Sequence, residues 1–315
     1  MTERIELAIV LEMPLLMIEQ LAERYTVHYW PDPAEHPRHF ASDTAKRLRA
    51  VQTNGSFGLK RHHIEVLPAL EIIAVVGAGY DGVDLAAARE RSIVLTYGPG
   101  VNSAAVAEQA WALLLAAVRR VPDRDRGVRE GRWLELRQAL PNITGKKLGV
   151  FGLGNIGKAI ARRGAGFEME IGYTGRHLQH EVPYRYFERL ADLAAWCDVL
   201  MVAAPGGPAT YHAVNREVLE ALGPEGFLVN VGRGTVVDSG ALIDALRDDR
   251  IAGAGLDVVE GEPAVPPALA ADPRCVWSPH IGGHTPDAIR AMVRQVRANL
   301  DAHFAGEPVL TPIPD

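Results

Sequence analysis

The sequence has very little cysteine. Its 315 residues include only two cysteines, Cys197 and Cys275, which form neither a CxxC motif nor a paired framework. This argues against a disulfide-stabilised scaffold and favours small buried thiols in a reducing compartment. The neighbouring His62 and His63 with Glu65 fit no zinc spacing, so we expect a solvated loop there and no metal site in the protein.

The sequence also lacks a surplus of positive charge and any long uninterrupted hydrophobic run. Its formal net charge is −6 at pH 7, which argues against a nucleic-acid or membrane-surface binder. No apolar run is long enough to span a bilayer. Glutamates interrupt the apolar residues near the N-terminus, and no small-residue cleavage site follows them. We therefore expect a cytoplasmic protein with neither a nucleic-acid nor a membrane partner.

The length and the order of elements predict an α/β protein with two domains. A chain of 315 residues, 48% of them hydrophobic, is long for a single core. Short apolar runs alternate with helical patterns, as in parallel sheets built from βαβ units. We predict a doubly wound, parallel-sheet Rossmann domain that binds a dinucleotide at residues 102–284. A smaller flavodoxin-like α/β substrate domain would be discontinuous, comprising residues 1–101 and 285–315, because a long C-terminal helix can cross back to it.

The connection between the two halves has helical spacing followed by a charged stretch. Asn102 or Ser103 can cap a helix that runs with little interruption to about Val121. Residues 122–142 are charged and indicate a surface segment. Its Trp133 is either an interface anchor or an ordinary packed side chain, and simple packing is the favoured interpretation.

The stretch KKLGVFGLGNIGKAIA changes from a strand pattern to glycines and then to a helical pattern. Gly152, Gly154 and Gly157 fit GxGxxG. The first glycine permits a sharp turn, the second lets the backbone approach a pyrophosphate, and the third lets the helix pack closely on the strand. The residues whose backbone would face an anion at this helix N-terminus are Leu153, Gly154, Asn155 and Ile156.

A second match to the same pattern occurs at Gly77, Gly79 and Gly82. The two matches differ about 20 residues after the first glycine, where such units bind the adenosine ribose. In the first case the next strand ends at Arg176, whereas the strand after the second match ends without a charged residue. We therefore predict that the nucleotide site lies at residues 152–157.

The end of the second Rossmann strand indicates which dinucleotide binds. An NAD site places Asp or Glu there to accept hydrogen bonds from the ribose 2′-hydroxyl, and such a carboxylate would repel a 2′-phosphate. This chain has no acid there, and the planar fork of Arg176 suits phosphate oxygens. We predict NADPH in preference to NADH, with an exposed basic turn as the weaker alternative. The residues predicted to bind at this turn are Thr174, Gly175, Arg176 and His177.

Three polar residues follow three successive candidate strands: Arg233 in NVGRG, Glu262 in LDVVEGEP and His280 in SPHIGG. Carboxyl ends of parallel strands meet at one edge of a sheet, so all three should lie beside the dinucleotide. An arginine fork suits a carboxylate or carbonyl, a histidine can carry a proton near neutral pH, and a nearby carboxylate favours the charged histidine. Each residue alone has an ordinary structural explanation. Together they predict an acid catalyst that also holds its substrate.

These motifs give the sequence a resemblance to the D-isomer-specific 2-hydroxyacid dehydrogenases, and among them to the glyoxylate/hydroxypyruvate and hydroxyphenylpyruvate reductases. The motifs follow the family's order and spacing across nearly the whole chain: VVGAGYDGVDL, VAEQAWALLL, GLGNIG, NVGRGTVVD, AGAGLDVVEGEP and SPHIGG. The resemblance implies NAD(P)H-dependent reduction of a small 2-oxo acid, such as glyoxylate, hydroxypyruvate or an aryl-pyruvate, to the D-2-hydroxy acid. It also implies a homodimer.

The resemblance further implies roles for individual residues. Arg233 would bind the carboxylate and carbonyl of the 2-oxo acid, His280 would deliver the proton, and Glu262 would pair with His280. Asp257 matches the family's acidic residue at the nicotinamide carboxamide. The cofactor-binding set is completed by Ala204, Pro205, Val231, Gly232, Arg233, His280 and Gly282. The substrate-binding set comprises Asn54, Gly55, Val76, Gly77, Ala78, Arg233 and His280.

Two segments depart from the family pattern. Gly283 and His284 stand where a serine and a small residue are frequent, and APGGPAT replaces the commoner strand end before the proline. Both bear on how a substrate is placed and leave the reaction class unchanged. The resemblance also extends to corepressors, so a dinucleotide-sensing interaction protein on the same fold is the alternative. The intact Arg233, Glu262 and His280 argue against it.

Overall fold

The computed structural model describes residues 4–314. In chain order, strands β1–β12 of this part of the chain are Glu6–Ile9, Thr26–Tyr29, Ala50–Asn54, Ile72–Val76, Val94–Thr96, Lys147–Phe151, Glu170–Thr174, Arg185–Tyr186, Val199–Val202, Phe227–Asn230, Gly253–Leu256 and Cys275–Trp277. Helices α1–α12 are Leu15–Ala22, His36–Phe40, Arg61–Glu65, Leu85–Glu90, Ser103–Val118, Val121–Arg129, Asn155–Gly166, Leu190–Trp196, Arg216–Leu222, Ser239–Arg247, Pro267–Ala271 and Pro286–Phe304. The chain divides into two compact units, Met1–Asn102 with Thr285–Asp315, and Ser103–His284.

The first unit contains a five-stranded parallel sheet in the order β2-β1-β3-β4-β5. This is the 2-1-3-4-5 order of flavodoxin-like folds. Helix α12 belongs to this unit although it lies at the end of the chain, because its Val296 and Leu300 join the buried cluster that contains Leu7 and Ile9. The predicted flavodoxin-like α/β architecture is confirmed.

The second unit contains a seven-stranded parallel sheet in the order β12-β11-β10-β9-β6-β7-β8. Every residue of β9, β10 and β11 is buried, as expected for strands covered by helices on both faces. The chain runs outward from β6 to β7 and β8, then returns to place β9 on the other side of β6. Ligands of doubly wound sheets bind at such a switch point, at the carboxyl ends of the strands. The predicted Rossmann fold is confirmed.

Helix α5 ends sooner than the sequence indicated. It stops at Val118, Arg120 adopts a left-handed backbone conformation with φ 49°, and a separate helix, α6, begins at Val121. The helix predicted to run to about Val121 is therefore three residues shorter, and α6 was not predicted. Most of residues 122–142 are exposed, as expected for a surface segment. Trp133 is 64% exposed in this unit, so its interpretation as an ordinary packed side chain was wrong.

Two smaller expectations also differ from the structure. His62, His63 and Glu65 belong to helix α3 rather than to a loop, and the ring of His63 stacks on Phe40 at 4.6 Å between centroids. Burial, together with neighbouring positive charges, lowers the pKa of His63 to about 4. The two-residue strand β8 at the edge of the second sheet was not predicted, since so short a run has no detectable period.

No helix within residues 4–314 has the length and apolar character needed to cross a membrane.

Candidate active site

The glycine turn after β6 leads directly into helix α7. Gly152 has φ 94°, and a side chain there would lie 2.7 Å from the backbone nitrogen of Ala204. A side chain at Gly157 would lie 2.1 Å from the carbonyl oxygen of Gly152, so close approach of helix and strand requires glycine. Gly154, in contrast, has nothing within 4 Å of the position of a β-carbon. The N–H groups of the first turn of α7 have no partner within the helix, and the open space above them suits an anion.

The second glycine match has a different structure. The chain after Gly77 does not enter a helix, because α4 begins only after its N-cap residue Asp84. A side chain at Gly82 would lie 2.4 Å from the carbonyl oxygen of Gly55, so backbone already occupies that space. The strand–turn–helix arrangement that binds a pyrophosphate therefore occurs at Gly152 and not at Gly77.

The turn after β7 places two basic side chains in solvent. Gly175 has open space around it, and Arg176 and His177 are exposed. Among the described residues Arg176 has no ion-pair partner. The neighbouring carboxylate of Glu181 is held by Lys158 at 2.9 Å, and this hydrogen bond lowers the pKa of Glu181. The charge of His177 also contributes to the lowered pKa of Glu181, so Arg176 is the basic residue of this turn without an ion-pair partner within residues 4–314.

Two polar residues beside this turn were misjudged or missed. Thr174 was predicted to bind a phosphate, but it is buried and its hydroxyl donates to the carbonyl of Phe187 at 3.0 Å. Its proton is thus not available to a phosphate oxygen, and Thr174 leaves the predicted set. Gln179, which was not predicted, donates from Nε2 to the carbonyl of Leu153 at 2.9 Å and ties the two turns together. No sequence signal marks this contact, because it depends on the path of the loop.

His280 and Glu262 lie in contact at the ends of β12 and β11. Nδ1 of His280 is 2.5 Å from Oε1 of Glu262, and both side chains are about one-third exposed. Burial alone would raise the pKa of Glu262, but the hydrogen bond and charge of His280, the N–H of Val259 and the charge of Arg233 together lower it. The carboxylate therefore stays ionised beside the imidazole, which leaves Nε2 as the ring nitrogen that can exchange a proton with a ligand.

The backbone at His280 is strained, and hydrogen bonds to Asp257 stabilise it. His280 has φ 54°, an uncommon left-handed conformation for a residue with a side chain. Its N–H donates to the carbonyl of Asp257 at 2.8 Å. The carboxylate of Asp257, only 4% exposed, accepts from the hydroxyl of Ser278 at 2.5 Å and from the N–H groups of Ile281 at 3.0 Å and Gly282 at 2.9 Å. Asp257 therefore organises the loop that carries His280.

Arg233 lies at the end of β10, in a segment shaped by Asn230. The side chain of this fully buried asparagine donates to the carbonyl of Arg233 and accepts from the N–H of Gly232, both at 3.0 Å. Gly232 packs against Ala204, whose carbonyl oxygen would lie 2.5 Å from a side chain there. Asn230 was not identified from the sequence as part of the site, since a buried asparagine in a strand carries no motif. Val231 is buried beside it, and Pro205 is exposed.

The predicted substrate-binding residues of the first unit lie at the carboxyl ends of β3 and β4. Asn54 and Val76 are paired across these neighbouring strands. The side chain of Asn54 accepts from the N–H of Phe57 at 2.7 Å, which shapes the turn that contains the buried Gly55. Gly77 follows with φ 85°, and Ala78 is half-buried. The fold thus brings these residues to one sheet edge of their unit.

Clusters of metal-binding side chains are absent from the described part of the chain. No three histidine, cysteine or acidic side chains within residues 4–314 are arranged to hold an ion. Cys197 and Cys275 are free and buried, and burial is the largest cause that raises the pKa of each thiol to about 12. Both are therefore packing groups, as their sequence positions indicated.

Comparison with protein families matches residues 111–282 to the family described as D-isomer specific 2-hydroxyacid dehydrogenase, NAD binding domain. The matched region covers most of the second unit, including the glycine turn and the segments that carry Arg233, Glu262 and His280.

Individual relatives are similar over almost their entire lengths. A hydroxyphenylpyruvate reductase from Plectranthus scutellarioides is 39% identical over 313 residues, with 99% of each chain covered. A 2-ketogluconate reductase from Gluconobacter oxydans is 38% identical, with 95% of each chain covered. The crystal structure of the NADPH-dependent glyoxylate/hydroxypyruvate reductase from Sinorhizobium meliloti, in complex with NADP and malonate, has a TM-score of 0.91 and 37% identity, covering 99% of this chain and 97% of that one.

Proposed function

The chain belongs to the D-isomer-specific 2-hydroxyacid dehydrogenase family, and we propose that it reduces a small 2-oxo acid to the D-2-hydroxy acid with NADPH. The observation that carries this proposal is the contact of His280 with Glu262, close enough to Arg233 for its charge to act on Glu262, at the same sheet edge as the glycine turn. Glyoxylate, hydroxypyruvate and aryl-pyruvates share the 2-oxo carboxylate that this group suits.

The residues of the second unit fit a dinucleotide. The open space at Gly154 admits a pyrophosphate, and the N-terminus of α7 supplies N–H donors and a positive dipole end. We assign the remaining contacts of the cofactor to the strand ends around it: Leu153, Asn155, Ile156, Ala204, Pro205, Val231, Gly232, Asp257 and Gly282.

The proposed chemistry uses the acid–base pair directly. When bound, the reduced nicotinamide supplies a hydride to C2 of the 2-oxo acid. Nε2 of His280 gives its proton to the carbonyl oxygen, so that the C=O group becomes a C–OH group. Glu262 stabilises the imidazolium before this transfer and holds the ring in place. The guanidinium of Arg233 binds the carboxylate and stabilises charge on the reacting oxygen.

In the first unit, the proposal follows the family resemblance. The backbone at Val76, Gly77 and Ala78 would bind the substrate carboxylate, and the turn of Asn54 and Gly55 would limit the size of the side chain. The homodimer implied by the resemblance also remains a proposal. Light scattering coupled to gel filtration, which should give twice the chain mass, tests it.

The preference for NADPH rests on the turn after β7. Arg176 is exposed, has no ion-pair partner among the described residues, and stands where an NAD site would carry an acid. His177 lies beside it, and Gly175 leaves room for a phosphate. The Sinorhizobium meliloti relative is named as NADPH-dependent, which supports the same preference. Thr174 is not part of this proposal, because its hydroxyl is already bonded to Phe187.

A panel of substrates tests the proposed function. The purified protein is mixed with NADPH or NADH and with glyoxylate, hydroxypyruvate, hydroxyphenylpyruvate or 2-ketogluconate, and loss of the reduced-nicotinamide absorbance is followed. We expect oxidation of NADPH with at least one acid, and slower oxidation of NADH. Failure of every acid with both cofactors would overturn the proposal and would leave the dinucleotide-sensing alternative to be tested by binding.

A further inference from the structure

A second histidine–carboxylate pair lies close to the first. Nε2 of His212 is 2.8 Å from Oε1 of Glu260, and each side chain is 29% exposed. The ring of Tyr211 stacks on His212 at 3.9 Å between centroids, and its hydroxyl donates to the same oxygen of Glu260 at 3.4 Å. On the other side of the imidazole, Asp238 is 3.9 Å from Nδ1. The proposed chemistry uses none of these groups.

Glu260 and Glu262 belong to one tight turn. Residues 260–263 form this turn, with Gly261 at φ 81°. The N–H of Glu262 donates to the carbonyl of Val259 at 3.3 Å, and the N–H of Val259 donates to Oε2 of Glu262 at 3.4 Å. Within so short a turn, the position of one carboxylate constrains the position of the other. Holding Glu260 therefore helps to hold Glu262, which faces His280.

His212 is itself fixed to the segment that follows Arg233. Its N–H donates to the carbonyl of Thr235 at 2.9 Å, and its backbone is left-handed at φ 50°. Such a conformation persists only where the surroundings hold it. Gly234 meanwhile lies so close to Val259 that a side chain there would be 2.1 Å from the Val259 carbonyl carbon. The segment after Arg233 and the turn of Glu262 are therefore in backbone contact, and His212 bonds to both.

We propose that His212 and Glu260 form a brace that fixes the distance between Arg233 and the Glu262–His280 pair. Both would be positioning residues, because the proposed role requires no contact of either side chain with the substrate or the cofactor. The inference rests on the proposed function for the roles of Arg233, Glu262 and His280. A partly exposed ion pair adds little net stability, so removing an ordinary pair of this kind would leave turnover unchanged. If the pair is a brace, its removal should lower kcat, because small displacements of reacting groups slow the reaction strongly.

The test compares His212→Ala and Glu260→Ala with the double variant in the oxo-acid reduction assay. Each single variant should lower kcat by roughly 10- to 100-fold, the cost of a misplaced reacting group, with KM for NADPH within about twofold of the parent. The double variant should be no worse than either single variant, because the two side chains act through one bond. His212→Gln, which can still donate to Glu260, should recover much of the lost kcat.

The matched control removes a histidine–carboxylate pair from the first unit. His28 pairs with Glu6 there, and His28→Ala should leave kcat at the parental value. Thermal midpoints of all variants should stay within about 4 °C of the parent, since these pairs are partly exposed. Parental kcat in His212→Ala, or additive losses in the double variant, would overturn the brace.

A structural readout separates this inference from the proposed function. In a crystal structure of His212→Ala, we expect the turn of Glu262 to shift and the bond from Glu262 to His280, 2.5 Å in the parent, to lengthen or break. An unmoved turn would contradict the brace whether or not the protein reduces oxo acids. A parent protein without reductase activity would instead contradict the proposed function, while the geometry of the variant would still decide the brace.

Discussion

Two regions of the carboxyl edge of the second sheet differ. Open space adjoins the ends of β6 and β7, whereas hydrogen bonds to buried side chains fix the loops at the ends of β10, β11 and β12. We call the first region, residues 152–157 and 174–179, the binding end. It has open space at Gly154, and its exposed Arg176 has no ion-pair partner in the described part of the chain. We call the second region, Arg233, Glu262 and His280, the acid–base end. Its loops are held by the buried Asn230 and Asp257.

This difference has a physical reason. A large anionic ligand needs room and donors, and glycines with free N–H groups supply both without a fixed side chain. Proton transfer needs side chains that are already oriented, and hydrogen bonds to buried partners supply that orientation. If this division is correct, changes at the acid–base end lower turnover, and changes at the binding end weaken the cofactor complex.

Apart from the loss of His280 itself, the largest effect is expected at Arg233. Arg233→Ala removes both the grip on the carboxylate and the charge that stabilises the reacting oxygen, so kcat should fall roughly 10²- to 10³-fold and KM for the oxo acid should rise. Arg233→Lys is the control, because it keeps the charge and loses the planar fork. A rise in KM with parental kcat would make Arg233 a binding residue alone and would weaken the division between the two ends.

Gly154→Val should weaken NADPH binding at the binding end without unfolding the protein. The β-carbon has open space in the free protein, but it would occupy the place of the pyrophosphate. Loss of two charge-assisted hydrogen bonds, about 3 kcal/mol together, corresponds to a roughly 100-fold higher Kd for NADPH by fluorescence titration. Gly166→Val is the matched control at the other end of the same helix, where the β-carbon also has open space. Equal affinity in both variants would place the dinucleotide elsewhere.

Within the binding end, Arg176→Ala tests whether the turn after β7 recognises the 2′-phosphate of NADPH. One charge-assisted contact to a 2′-phosphate is worth about 1.5 to 3 kcal/mol, so kcat/KM with NADPH should fall roughly 10- to 100-fold while that with NADH changes little. Arg162→Ala removes the same charge from an exposed position about 10 Å along α7 from Asn155 and serves as the control. An Arg176→Ala enzyme that still prefers NADPH would show that this turn does not recognise the phosphate.

The smallest change in rate near neutral pH is expected for Glu262→Gln, whose effect is a shifted pH profile. Reduction needs a protonated His280, so the rate should fall as pH rises. Because its pKa is lowered, Glu262 stays ionised throughout that fall and favours the imidazolium. The neutral glutamine cannot, and the fall should move to lower pH. In the parent, ionised Glu262 stabilises the imidazolium at any pH above the ordinary pKa of glutamate. This stabilisation is lost only as pH falls through the lowered pKa of Glu262. Superimposable profiles would remove Glu262 from the mechanism.

The sequence predicted the features that depend on local pattern. Strand and helix periods with well-placed glycines predicted the turn at Gly152, and strand order then brings residues after β10, β11 and β12 to one edge. Thr174 was misplaced because strands of a covered parallel sheet are buried on both faces, even at their last residue. The two sheets and their strand orders match the predicted fold class.

Contacts made by loops were not predictable in this way. Gln179 and the pair of His212 with Glu260 join segments that lie far apart in sequence. Their partners are set by the path of the chain between elements, which no local period encodes. Helix α6 was missed because its sequence, VPDRDRGVR, is mostly polar and has no apolar stripe.

The most direct test of the account follows one hydrogen atom. NADPH carrying deuterium at either face of the nicotinamide C4 is mixed with the best 2-oxo acid of the panel, and the product is analysed by mass spectrometry and chiral chromatography. We expect one of the two labels to appear at C2 of a D-2-hydroxy acid, and His280→Ala to form this product roughly 10²- to 10⁴-fold more slowly. A product without deuterium at C2, or an undiminished rate in His280→Ala, would contradict this expectation.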